Sequence, residues 1–224
     1  MKKIFTIGFL ALNALLLGCA TNHNNSAETA NAEKNAVAAK PPKISANSHF
    51  AAGQLAEANG ENDKAISQYT ECLKINPKHQ AALYQLGVLY SSLKQYDDAL
   101  DVFQRYVKAT NGAASAYNDL GYCYEQSGDT DDAAQAYQQG IAADTKNAPC
   151  RTNYGLLLAK QNKIEEAIRV WQPVLSDAEV HYNLASVYEQ AGRKQEAKVE
   201  FQKAVQLDPN FQDAKNRLAE LTLN

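Results

Sequence analysis

A recurring spacing of 34 residues is the feature that most constrains how this 224-residue chain folds. Four small residues follow one another at this spacing, and a fifth follows after 30 residues. An alanine lies 12 residues after each small residue, and an aromatic residue lies four positions further on. A fixed period of this length predicts a stack of similar units. The three sets are Gly53, Gly87, Gly121, Gly155 and Ala185; Ala65, Ala99, Ala133, Ala167 and Ala197; and Tyr69, Phe103, Tyr137, Trp171 and Phe201.

The chemistry of these positions predicts pairs of closely packed helices. The small residue on one helix and the alanine on the next let the two backbones approach, and the aromatic ring one turn further on fills the gap. Gly60, Gly128 and Gly192 lie between predicted helices, where a left-handed residue ends a helix at little cost. Pro77 and Pro209 follow the second helices of two units and prevent their continuation.

This pattern resembles the tetratricopeptide repeat (TPR) over residues 46–211. The resemblance implies an all-α fold, a right-handed superhelical solenoid of five helix-turn-helix units. Residues 212–224 are predicted to form a capping helix, with Ala214, Leu218 and Leu221 on one face, that covers the last apolar surface. The predicted units are 46–79, 80–113, 114–147, 148–177 and 178–211.

The fourth unit is four residues shorter than the others. Pro173 falls late in its second helix and removes a backbone hydrogen-bond donor there. Ser176 and Glu179 have the spacing of a capping box that opens the next helix. We therefore expect a shortened second helix and an altered stacking angle between units four and five.

The N-terminus has the pattern of an export signal. Lys2 and Lys3 precede an apolar run over 4–17, which is shorter than the roughly 20 residues that span a bilayer. The run ends Leu16-Leu17-Gly18-Cys19, which resembles the bacterial lipobox. The resemblance implies that 1–18 is a signal peptide and that Cys19 carries diacylglycerol on its sulfur and an acyl chain on its amino group. An ordinary secretory signal with a chance cysteine is the alternative.

Residues 19–45 are predicted to be the lipidated cysteine and a disordered tether. The segment is rich in Ala, Asn, Thr, Glu and Lys, so it buries too little apolar surface to offset the entropy of ordering. Ala20 follows the cysteine, and a residue other than Asp there resembles lipoproteins sent to the outer membrane. The predicted location is therefore the bacterial cell envelope, lipid-anchored at the outer membrane and facing the periplasm.

Composition and motifs argue against a nucleic-acid partner and against an enzyme. The formal net charge is −3, whereas phosphate binding requires a basic surplus. The sequence contains no Gly-rich nucleotide loop, no His-Glu-x-x-His and no Gly-x-Ser-x-Gly. We expect no catalytic residue, no cofactor and no metal site. Cys72, Cys123 and Cys150 fall where the repeat prefers a small residue, so we expect them to pack in the core.

The TPR resemblance implies a concave groove lined by the first helix of each unit. Asp119 falls at one of these groove positions. One TPR subtype clamps a C-terminal carboxylate with Lys and Arg at the groove positions. This sequence has no Lys or Arg there before Lys160, so we do not expect such a clamp. The groove positions carry aromatic, apolar and amide side chains, and this mixture suits a peptide with apolar anchors. Packing of some of these tyrosines between repeats is the alternative. The candidate groove residues are Tyr84, Val88, Asn118, Tyr122, Asn153, Leu156, Tyr182 and Asn183.

Together these features predict a non-enzymatic scaffold that is tethered to a membrane and binds a peptide or an envelope protein. Architecture of this kind resembles lipoproteins that assist pilus or secretin assembly, or that scaffold cell-wall enzymes. A self-associating structural envelope protein is the alternative. The sequence leaves the partner and the oligomeric state open.

Overall fold

The computed structural model describes residues 44–223, and within this range the chain forms eleven α-helices and no strand. Residues 1–43, and with them Cys19 and most of the predicted tether, lie outside the described residues. Five helix pairs are followed by one further helix. The helices are α1 Ala46–Ala58, α2 Asn62–Ile75, α3 Gln80–Ser92, α4 Tyr96–Ala109, α5 Ala114–Ser127, α6 Thr130–Ala143, α7 Ala148–Lys160, α8 Ile164–Trp171, α9 Asp177–Gln190, α10 Lys194–Leu207 and α11 Gln212–Leu223.

Each helix pair is held together by a small residue pressed against an aromatic ring, as the sequence pattern predicts. A Cβ atom added to Gly121 on α5 would lie 2.7 Å from Cδ1 and Cε1 of Tyr137 on α6. The Tyr137 ring is fully buried, and its hydroxyl donates to Glu125 Oε2 at 3.3 Å. The same arrangement recurs in the first, second and fourth pairs with Gly53 against Tyr69, Gly87 against Phe103 and Gly155 against Trp171. In the fifth pair, Ala185 and Phe201 are fully buried in one cluster.

The turns inside the pairs require left-handed backbone. Gly128 ends α5 with φ of 96° and has open space around it, which confirms its predicted role as a helix terminator. Lys94 and Asn162 occupy the corresponding turns of two other units with φ of 60° and 61°. Side chains with a Cβ rarely adopt this conformation. The repeat geometry therefore imposes it where no glycine is present.

The second helix of the fourth pair is shortened, as predicted. Helix α8 has only eight residues, whereas the other second helices have 14. Pro173 lies just beyond its last residue, Trp171, rather than inside it. The predicted capping box is present at the start of α9, where the Ser176 hydroxyl accepts from the Glu179 backbone and the Glu179 side chain accepts from the Ser176 backbone.

Helix α11 covers the end of the last pair. Ala214 is fully buried in a cluster with Phe201 of α10, and Leu218 and Leu221 pack against that cluster. Arg217 of α11 forms an ion pair with Glu189 of α9 at 2.5 Å. The predicted capping helix therefore buries an apolar surface that a solenoid end would otherwise expose.

The three cysteines in the described range pack in the core, as predicted. Cys72, Cys123 and Cys150 are free and buried. Burial raises the pKa of the Cys150 thiol to about 11, so it remains protonated at neutral pH. Between residues 44 and 223, no helix has the length and apolar character needed to cross a membrane.

Candidate peptide groove

Helices α3 and α5, the first helices of the second and third pairs, present large apolar side chains to solvent. Tyr84 and Val88 on α3 are 39% and 36% exposed, and Tyr122 on α5 is 52% exposed. Tyr84 and Val88 are four residues apart, so they lie on the same helix face one turn apart. All three are predicted groove residues. Exposed apolar groups that cluster in this way are typical of interaction sites.

These three side chains line one cavity of about 370 Å³ between α3 and α5. This volume lies near the lower end of the roughly 300–1,000 Å³ of ligand pockets. Phe103 of α4 contributes apolar surface to its wall, and Asp119 and Gln126 of α5 contribute polar atoms. Hydroxyl groups at its edge come from Ser91 and Ser92. The cavity thus combines aromatic walls with a small number of hydrogen-bonding groups.

Sequence reasoning missed several of these lining residues. Ser91, Ser92 and Gln126 fall at the twelfth and thirteenth positions of their predicted units, which the TPR resemblance also assigns to the groove. Extending the resemblance to those positions would have found them. Phe103 is one of the repeating aromatics of the core, and nothing in the repeat indicates that its ring also borders a cavity.

Tyr84 is supported from behind by a second tyrosine. Its ring centroid lies 5.8 Å from that of Tyr106 on α4, with an angle of 50° between the ring planes. Such tilted aromatic pairs are favourable beyond the area that they bury. Tyr106 is half-buried, and burial raises its pKa, with further contributions from Asp119 and Tyr84. The Tyr84 side chain is thereby oriented at the cavity wall.

Asp119 is the carboxylate among the described residues that line this cavity. Burial raises its pKa to about 6, and a side-chain hydrogen bond with Asn118 opposes that rise. Across residues 44–223, no Lys, Arg or His forms an ion pair with Asp119. The cavity therefore contains a partly desolvated carboxylate that forms no ion pair with a positively charged side chain of residues 44–223.

The predicted amides are partly used within the protein. Asn153 Nδ2 on α7 donates to Asn118 Oδ1 on α5 at 2.8 Å, so these two candidates join consecutive units. Beside them, Lys160 forms an ion pair with Glu125 at 2.6 Å across the same two helices. Both contacts lie between the third and fourth pairs. They satisfy polar groups that would otherwise be available to a ligand.

The remaining candidates do not line this cavity. Leu156 on α7 is half-buried and packs against the core cluster of the fourth and fifth pairs. The Tyr182 ring on α9 lies 5.5 Å from the ring of Phe201 and 4.9 Å from that of Phe211, between the fifth pair and α11. Asn183 is half-buried beside it. The structure thus unites Tyr84, Val88 and Tyr122 and places the other candidates elsewhere.

The residues described here hold no recognisable metal centre. No group of three or more His, Cys, Asp or Glu side chains within 44–223 is close enough to bind one ion. His181 Nδ1 instead pairs with Glu200 at 2.5 Å, and His49 Nδ1 pairs with Gln68 at 2.8 Å. Both contacts join the two helices of one pair.

Comparison with known proteins identifies similar chains. Residues 10–224 match the family described as Cilia and flagella-associated protein 70 C-terminal domain, a TPR family. A segment of 55 residues is 42% identical to the general transcriptional corepressor trfA of Dictyostelium discoideum. This segment is 25% of the chain, and it spans only 4% of the length of that curated relative.

Solved structures resemble most of the chain. The crystal structure of MamA protein is 24% identical with a TM-score of 0.60, and the match covers 73% of this chain and 92% of that one. The crystal structure of YrrB, described as a TPR protein with an unusual peptide-binding site, is 20% identical with a TM-score of 0.56. That match covers 84% of this chain and 96% of YrrB. At these identities the likeness shows the fold, and it confirms the predicted TPR solenoid.

Proposed function

The chain belongs to the TPR family named for the C-terminal domain of cilia and flagella-associated protein 70, and from that premise we propose that it is a non-enzymatic scaffold that binds a peptide segment of a protein partner. The observation that carries the proposal is the cavity between α3 and α5, where three large apolar side chains are exposed together. The family takes its name from a cilia and flagella-associated protein, and we do not propose a ciliary role for this chain.

The chemistry of the cavity suits one apolar anchor flanked by exposed backbone. Tyr84, Val88 and Tyr122 provide apolar contact area, and Tyr is enriched among the residues that dominate binding energy. The Gln126 amide can donate to and accept from a peptide backbone, and the hydroxyl oxygens of Ser91 and Ser92 can accept from it. The Ser92 hydroxyl itself donates to the Leu89 carbonyl at 2.7 Å. YrrB, a protein of the same fold, is described as binding peptide, which supports a peptide ligand by analogy.

The proposal places this scaffold in the bacterial cell envelope, tethered through acyl chains on Cys19. Support comes from the Leu16-Leu17-Gly18-Cys19 motif and from the polar composition of 19–45. Two or more acyl chains anchor a protein stably, whereas one chain gives only marginal binding. Tethering at the outer membrane, facing the periplasm, would confine the scaffold near partners such as a pilus or secretin machine or cell-wall enzymes.

The test is crosslinked capture from native cells with the lipidated chain. Tyr84→Ser and Tyr122→Ser remove apolar area from the cavity, and Leu207→Ser, which alters a side chain 51% exposed on α10, is the matched control. We expect one stoichiometric partner, retained by Leu207→Ser and lost with either tyrosine variant. Equal capture by all variants would refute the groove, and recovery of the chain alone would favour self-association.

A second variant tests the tether separately. Cys19→Ser removes the sulfur that carries the lipid, so we expect the protein to leave the membrane fraction while its cavity is unchanged. Persistent membrane association of this variant would refute the lipid anchor and would not affect the proposal of a peptide groove.

A further inference from the structure

The cavity between α3 and α5 has apolar walls and a negative charge without an ion-pair partner among the described residues. A ligand group that fits both must combine an apolar part with a positive charge. Asp119 lies in the cavity with Tyr84 and Tyr122, and α3 has no charged residue. The other acidic groove position on α5, Glu125, is already paired with Lys160 at 2.6 Å. Among the described residues that line the cavity, Asp119 is therefore the one charged side chain.

We propose that this cavity selects a Lys or Arg side chain of the bound peptide, held between Tyr84 and Tyr122 with its charged end on the Asp119 carboxylate. The inference rests on the proposed peptide-binding function and names the residue class that the site prefers. Lys and Arg have an apolar stem and a charged end, so their stems match Val88 and Phe103 while their charge matches Asp119.

Aromatic exposure supports a cation rather than a second apolar anchor. Tyr84 and Tyr122 leave 39% and 52% of their surface open to the cavity and solvent. A cation over the face of such a ring is attracted by its π-electrons, and the attraction is stronger where water is excluded. The protein already contains this interaction at its surface, where the Arg193 guanidinium lies 4.3 Å from the centre of the Tyr188 ring.

The state of Asp119 in the free protein agrees with this geometry. Burial disfavours its charged form and raises its pKa to about 6, as expected for a carboxylate with no cation beside it. A bound ammonium or guanidinium would supply the missing partner. Charge-assisted hydrogen bonds of this kind are roughly twice as strong as neutral ones.

The test selects a random-peptide library on the full-length chain in detergent, with Tyr84→Ser as the counter-selection target. A selected peptide is resynthesised with norleucine for Lys or citrulline for Arg, which removes the charge and keeps most of the shape. Binding of both peptides is then measured for the wild type, for Asp119→Asn and for the control Asp213→Asn, which alters an exposed carboxylate on α11.

We expect the selected peptides to share one basic position. Removing the peptide charge or introducing Asp119→Asn should each weaken binding about tenfold, equivalent to about 1.4 kcal/mol. The two changes together should weaken binding no more than either alone, because they remove the same interaction. Asp213→Asn should bind like the wild type. Asp119→Asn should also unfold at a higher temperature at neutral pH, so weaker binding would not reflect a damaged fold.

The outcomes separate this inference from the function that it extends. Peptides selected without a basic residue, or bound equally by Asp119→Asn, would overturn the cation preference and leave the peptide groove intact. Failure to select any peptide that distinguishes the wild type from Tyr84→Ser would overturn both.

Discussion

The substitution Gly121→Ala tests the packing that repeats through this fold. The added Cβ would lie 2.7 Å from Cδ1 and Cε1 of Tyr137 and 3.1 Å from its Cζ. Real Cβ atoms do not approach other atoms to 2.7 Å, so either the ring or the helix must shift. The ring is 0% exposed, and its hydroxyl is held by Glu125. The Tyr137 ring therefore has little room to move.

Two opposing effects set the expected change in the free energy of unfolding. Replacing glycine by alanine inside an exposed helix stabilises a protein by about 1 kcal/mol. Overpacking a buried site costs about 1–3 kcal/mol. Because the new Cβ would lie closer than van der Waals distance to three atoms of the Tyr137 ring, the second effect should prevail. We expect Gly121→Ala to lower the free energy of unfolding by about 1–2 kcal/mol.

The assay is urea unfolding followed by far-UV circular dichroism, for Gly121→Ala alone and in a Tyr137→Leu background. Leucine lacks the ring that meets the new methyl group, so in that background the alanine should cost less or should stabilise. A Gly121→Ala protein more stable than the wild type would refute the reasoning, because helix propensity alone would then decide the outcome.

Three further predictions test other parts of the chain. In Asp119→Asn, stability should rise by about 1–2 kcal/mol at neutral pH. Because the folded pKa of about 6 exceeds the ordinary 3.8, ionisation of Asp119 makes an increasingly unfavourable contribution to stability as pH rises from about 4 to 7. The gain of Asp119→Asn over the wild type should therefore disappear below about pH 4 in urea titrations. Ser176→Ala removes the capping box of α9 and should cost about 1 kcal/mol, measured by thermal unfolding; an unchanged midpoint would contradict the cap. Phe201→Ala empties the last core cluster and should cost about 3–5 kcal/mol, with loss of amide-exchange protection in α11; protection retained there would show that Ala214 does not depend on this ring.

The repeated helix pairs could be read from the sequence because their determinants are local. Gly121 and Tyr137 are separated by 16 residues, and each belongs to a pattern that recurs unit after unit. The capping box of Ser176 and Glu179 and the left-handed Gly128 are also short-range features, and both are present. Pro173 shows the limit of such reasoning, since the helix ends before it rather than around it.

The sequence predicts which helix face carries the candidate groove residues, but it does not predict what each side chain contacts. Periodicity places Tyr84, Asn118 and Tyr182 at the same position of units two, three and five, which makes them equivalent in sequence. In the structure, Tyr84 borders a cavity and Asn118 bonds to the next unit. The Tyr182 ring packs on Phe211, which precedes α11. The difference arises from what each side chain meets across the unit boundary.

The helix pairs, the short fourth unit and the terminal cap follow from sequence alone, because the 34-residue period repeats the same small and aromatic residues and therefore the same local packing. The grouping of Tyr84, Val88, Tyr122 and Asp119 around one open cavity emerges only when the helices pack against one another. Elsewhere in the described solenoid, groove candidates such as Leu156 and Tyr182 pack against neighbouring residues instead. These contacts depend on the adjacent unit, so the sequence of one unit does not predict them.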